Sequence, residues 1–133
     1  TVRIERQITM YQTNSGGIAD ASYLDINTPE TLERVRFVQR ARISQSFPRH
    51  KLAADGTQYG AGQSIVTPRI IKAELLALYR TMELSGWVEG FDNYKSTLVV
   101  EIDAADANRI NVSDQPNLVN QFRIHAQNTK FIV

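Results

Sequence analysis

A chain of 133 residues, 42% hydrophobic and 22% charged, is sized and composed to fold around its own core, and residues 1–133 read as a single domain. A net charge of +1 lacks the basic excess of a dedicated nucleic-acid binder, and the absence of cysteine excludes a disulfide framework and thiolate metal sites. No apolar run approaches the length that spans a bilayer, and no signal-peptide pattern opens the chain.

In chain order, residues 2–12 alternate, with Val2, Ile4, Ile8 and Met10 on one side and mostly polar residues on the other. That is the pattern of a half-buried strand, interrupted by Arg6. A strand opening this close to Thr1, with no initiator Met, reads as part of a piece from the C-terminal region of a longer protein. A loop rich in Gly, Ser, Asn and Asp follows over residues 13–25. Thr28-Pro29-Glu30 is a helix start, in which Thr caps orphan N–H groups, Pro forfeits no useful donor and Glu meets the positive end of the dipole. The helix is expected over residues 28–47, stopped by Pro48. Leu32, Val35, Ile43 and Phe47 form its core stripe, while Phe37 and Val38 lie off that stripe. Arg34, Arg36, Arg40 and Arg42 are spread around it rather than gathered on one face.

Thr67-Pro68 repeats the same start, and Gly86 supplies the stop. Between them Ile71, Leu75, Leu78 and Met82 make a clean stripe with Tyr79 at its margin. Ile70, Ala73, Ala77 and Leu84 lie opposite, small enough in part to admit another helix. STLVVEI (residues 96–102) and RINV (residues 109–112) read as strands joined by the turn DAADAN. After the breaking sequence DQPNL, Phe122, Ile124 and Ala126 alternate with polar residues, and the chain ends on Phe131, Ile132 and Val133. The order predicts an α+β fold: an antiparallel or mixed sheet with two main helices packed on one face. Two terminal strands with open edges offer a route to strand addition between subunits, or to pairing within the domain's own sheet.

The segment FPRHKLAADGTQYGAGQSIVTP concentrates glycines, a serine and basic residues, but the chemical readings of it fail. Gly56, Gly60 and Gly62 are wrongly spaced for a phosphate loop, and Gln63 stands where the lysine belongs. Ser64 has Gly62 before it, but Val66 occupies the second glycine position of a nucleophile elbow. His50 and His125 read as solvated residues, and the scattered carboxylates show no metal-ligand spacing. No catalytic residue, metal site, cofactor or small-molecule substrate is therefore expected. Arg34, Arg36, Arg40, Arg42, Arg49 and Lys51 are a local basic enrichment. They read either as a solvated surface paired with Glu30 and Glu33 or as a docking surface for an acidic partner.

The ordered pieces SYLDI, PRHKLA-DGT, G-GQ-IVTP, VEGF, DANR-NV and LVNQFRI resemble the C-terminal region of the tail sheath proteins of Mu-like contractile phages and prophages, over about residues 23–133. The resemblance implies a structural protein of the virion tail, assembled in the host cytoplasm as a helical stack of rings around a tail tube. It implies a C-terminal domain that lies innermost, and terminal arms that add strands to neighbouring subunits while the sheath contracts. Carried onto this chain, the arm is residues 122–133, with Phe122, Ile124, Ala126, Phe131, Ile132 and Val133 as its contact residues, whereas residues 1–10 read as sheet rather than arm. Arg34, Arg36, Arg40, Arg42, Arg49 and Lys51 become candidate contacts to the tube or to a neighbour. The competing reading is a non-catalytic baseplate or adaptor module that docks an acidic partner through the basic helix.

Overall fold

The computed structural model describes residues 1–132. Its elements run α1 (Asn27–Ser46), β1 (Lys51–Leu52), β2 (Ile65–Val66), α2 (Pro68–Leu84), β3 (Val88–Glu89), α3 (Phe91–Thr97), β4 (Val99–Ile102), β5 (Ile110–Ser113) and β6 (Asn117–Leu118).

The organising element is α2. Extended Thr67 accepts the Ile70 N–H at 3.4 Å, Pro68 occupies the first helical position, and Asp55 Oδ1 accepts the Arg69 N–H at 3.0 Å. Three of the orphan groups of the first turn are thus met or removed. At the other end the Trp87 N–H returns to the Met82 carbonyl at 3.1 Å across Gly86, whose φ of +75° is cheap for a residue without Cβ. Ile71, Leu75, Leu78 and Met82 are buried as their spacing predicts. Tyr79, expected at the margin, is fully buried at the centre. Val35, Val66, Val88, Tyr94 and Leu98 complete the core, and each buried aliphatic or aromatic side chain contributes on the order of 2 kcal/mol of transfer free energy.

Helix α1 packs on α2 through buried Val35, with Val38, Ile43 and Phe47 against the cluster. Val38 therefore faces inward, while Phe37 stands outside at 66% exposure. The helix begins one residue before Thr28, with Ile26 at the N-cap and no side-chain cap. The Asp25 and Ile26 carbonyls accept the Thr28 and Glu30 N–H groups, so the backbone of the preceding loop starts the helix and Thr28 lies inside it.

The β-structure is divided into three two-stranded ladders, so the expected mixture of helices and mostly antiparallel strands is present without one continuous sheet. β1 and β2 are parallel, and β3–β6 and β4–β5 are antiparallel. The hairpin β4–β5 forms as expected, its turn held by Asp103 Oδ1 on the Ala105 and Asp106 N–H groups at 2.8 and 3.0 Å. Ser96 and Thr97 belong to α3 rather than to the strand, and the break sequence carries β6. Helix α3 has only seven residues, too short for a period to declare itself, and left-handed Gly90 precedes it.

The terminal segments depart most from expectation. Residues 2–12 form no regular strand: only isolated bridges, Ile8 with Asp25 and Thr13 with Ala19, double this segment back on the next. Val2, Ile4 and Met10 are 95%, 72% and 97% exposed and Ile8 is 54% exposed, so the described residues leave most of the alternating face uncovered. Residues 119–132 likewise contain no helix or strand. A strand is regular only where its N–H and C=O groups find a ladder, and neither end has one.

Candidate inter-subunit surfaces

The C-terminal segment is rooted in the core before it leaves. Buried Tyr79 donates its hydroxyl to the Glu89 carbonyl at 2.6 Å and accepts the Asn117 N–H at 3.2 Å, tying β3 to β6. Its ring stacks on Tyr94 with centroids 3.8 Å apart. Tyr94 donates to Asp114 Oδ2 at 3.0 Å, and Gln39 Nε2 reaches the same oxygen at 2.6 Å, joining α1 and α3 to the approach to β6. Burial pushes the Tyr94 hydroxyl up, and the Asp114 carboxylate pushes it further in the same direction. Burial also raises Tyr79, against the opposing Asn117 hydrogen bond. The last backbone bond to the body is from the Val119 N–H to the Trp87 carbonyl, at 3.1 Å.

Beyond Val119 the segment is open. Phe122, Ile124, Phe131 and Ile132 are 86%, 82%, 84% and 100% exposed, and Ala126 is exposed with them. Val133 lies outside the described residues. Among the described residues an ion pair ties this segment to the body: Arg123 Nη2 lies 2.7 Å from Asp25 Oδ2. Arg6 approaches the same carboxylate, Nε at 2.8 Å from Oδ1 and Nη2 at 3.2 Å from Oδ2. These hydrogen bonds, Arg6 first and Arg123 second, hold the Asp25 carboxyl at about 2.

The basic residues do not make one patch. Arg34 lies over the Trp87 ring at 5.3 Å, and Arg42 pairs with Glu74 of α2. Neither Glu30 nor Glu33 takes an ion pair from the helix arginines among the described residues. Arg36 and Arg40, one turn apart, are exposed and have no ion-pair partner among the described residues. With Ile43, Val112 and Asp114 they border an open groove, and Glu33 and exposed Phe37 line both it and a second groove that Trp87 also lines. Arg49 sits in the left-handed region at φ 58°, and exposed Lys51 gives its N–H to the Ser64 carbonyl at 2.9 Å.

The glycine-rich segment serves shape. The β1–β2 ladder closes it at its base, and Asp55 reaches from it to the start of α2. His50 Nδ1 lies 3.1 Å from the Pro48 carbonyl and its ring stands edge-on to Phe47, while His125 faces only Gln127. Among the described residues no group of three or more His, Asp or Glu is placed to hold a metal ion, and no helix is long and apolar enough to cross a membrane.

A protein-family model described as the phage tail sheath C-terminal domain matches residues 19–132. The chain belongs to this family. It is also 51% identical over 131 residues to the Mu-like prophage FluMu tail sheath protein of Haemophilus influenzae. That alignment covers 98% of the chain and 27% of the relative. The family is one of structural proteins, and within it the exposed C-terminal segment and its root are the features of interest. Sequence reasoning singled out the exposed segment by its alternation. It missed Tyr79, Gln39, Asp114 and Asp25, which lie far apart in the chain and share no periodic pattern.

Proposed function

We propose that the chain is a structural unit of a contractile phage tail sheath, joined to neighbouring subunits by strand addition through residues 122–133 and having no catalytic function. The observation that carries this reading is a C-terminal segment anchored at Tyr79 and Trp87 and then exposed, with apolar Phe122, Ile124 and Ala126 alternating with polar neighbours. Such a segment leaves its apolar side chains and backbone groups unsatisfied until a partner supplies them. The two-stranded ladders leave strand edges to receive it. Main-chain bonds of this kind persist while rigid bodies rotate about their linkers. Contraction then draws its free energy from alternative packings of subunits and requires no reactive group.

The partners in this reading are copies of the same protein in stacked rings and a tail tube inside them, in the virion tail, after assembly in the host cytoplasm. Residues 1–133 act as one domain, with no small-molecule substrate, cofactor, membrane or nucleic acid involved. Arg36 and Arg40, exposed and without an ion-pair partner among the described residues, are the best placed of the basic residues to meet the tube or a neighbour. Contacts of exposed charges are weak enough to break as the sheath moves.

Full-length protein lacking residues 122–133 is expected to form no sheaths in electron micrographs; normal sheaths would overturn the arm assignment. The same two arginines also suit a baseplate or adaptor module that docks an acidic partner. Polymerisation of the intact full-length protein without other tail proteins excludes that alternative.

A further inference from the structure

Asp25 stands between Arg6 of the N-terminal segment and Arg123 of the C-terminal segment. Its Oδ2 is shared by Arg6 at 3.2 Å and Arg123 at 2.7 Å, and its backbone bridges Ile8. The Asp25 side chain is 20% exposed against 48% for Arg6 and 41% for Arg123, so the carboxylate is the sheltered member of the cluster. Asp25 and Arg123 line one pocket together with Asn27, Thr28, Leu118 and Val119. Two guanidiniums this close repel each other unless a negative charge lies between them. Asp25 therefore attracts each end and also cancels their mutual repulsion.

We propose that Asp25 is an ionic joint that seats the root of the C-terminal arm against the N-terminal segment of the same subunit and so fixes the point from which the arm departs. The proposal rests on the arm reading above. With the joint made, the free arm begins after Arg123, and the residues beyond it reach roughly 30 Å when extended. With the joint broken, freedom begins at Val119, the last residue held by a backbone bond. A longer free segment samples a larger volume, so its effective concentration at a neighbour's strand edge falls.

The test is chymotrypsin cleavage after Phe122, beside the joint, relative to cleavage after Phe131, well beyond it, in unassembled full-length protein. Asp25→Asn is expected to raise this ratio roughly threefold, as the loss of exposed ion pairs predicts. One molar salt is expected to raise it in the wild type and not to raise it in Asp25→Asn, where only the repulsion between the two guanidiniums is left to screen. Arg6→Gln, which leaves Arg123 its carboxylate, is expected not to raise it. An unchanged ratio in Asp25→Asn overturns the joint. Where that variant fails to fold, the salt dependence of the wild type decides, and a flat response overturns the joint. Asp25→Asn is further expected to need several-fold more protein to form sheaths. If removing residues 122–133 leaves sheath formation intact, the arm reading itself fails. If removal abolishes sheaths while Asp25→Asn changes neither cleavage nor assembly, only the joint fails.

Discussion

The Tyr79 hydroxyl lies inside the core yet acts on the exposed segment. It takes the Asn117 N–H and gives its own proton to Glu89, so a single oxygen ties β3 to the strand that precedes the arm. Tyr79→Phe keeps the ring and its stacking on Tyr94 but leaves two polar backbone groups to find new partners. Such losses cost about 1–2 kcal/mol. Urea unfolding is expected to show that fall in midpoint with an unchanged slope, and the Val119 amide is expected to lose exchange protection. Asp25 is the polar counterpart at the surface, where position rather than burial makes the residue matter. Neither residue was legible as special. Tyr79 falls one position outside the cleanest stripe of α2, and Asp25 ends a loop whose composition suggested only turns.

At the level of elements, α2 was legible almost in full, because its start, stripe and stop are all local. Its cap was only half legible. Thr67 is adjacent and could be read, whereas Asp55 arrives from the middle of the glycine-rich segment. That contact gives the long connector an energetic role. Asp55→Ala is expected to destabilise the domain by about 1 kcal/mol, the usual cost of a lost cap, measured by thermal or urea unfolding. Helix α1 shows the opposite case. Its arginines suggested intrahelical pairs with Glu30 and Glu33, but Arg42 crosses to Glu74 and Arg34 to Trp87. Partner choice among exposed charges depends on which helix packs alongside, which the pattern of one helix does not contain. The strand readings erred at their limits for a related reason: β-branched residues mark Val99–Ile102, but the turn of helix before them is set by Gly90 and by burial of Tyr94.

Across the whole molecule, the core is concentrated around α2, and the exposed apolar residues are concentrated toward the chain ends. That division separates what must stay folded from what is available to partners. It also predicts that surface and stability can be altered independently. Arg36→Glu with Arg40→Glu is expected to leave the unfolding free energy within about 0.5 kcal/mol, since neither side chain has an ion pair to lose among the described residues. The same pair of changes is expected to weaken sheath formation or attachment to the tube, measured by sedimentation of assembled particles. Unaltered assembly would remove these arginines from the interface.

By itself the sequence determined the α+β class, both long helices, the β4–β5 hairpin, the absence of recognisable catalytic spacing and the apolar tail. Each of these is written in neighbouring residues: a period, a cap, a turn or a run. Only the tertiary structure decided that Tyr79 roots the tail, that Asp25 gathers Arg6 and Arg123, and that the terminal alternations are not strands within this chain. Hydrogen-bond and charge partners of that kind come from distant segments, and a strand exists only where another strand completes it.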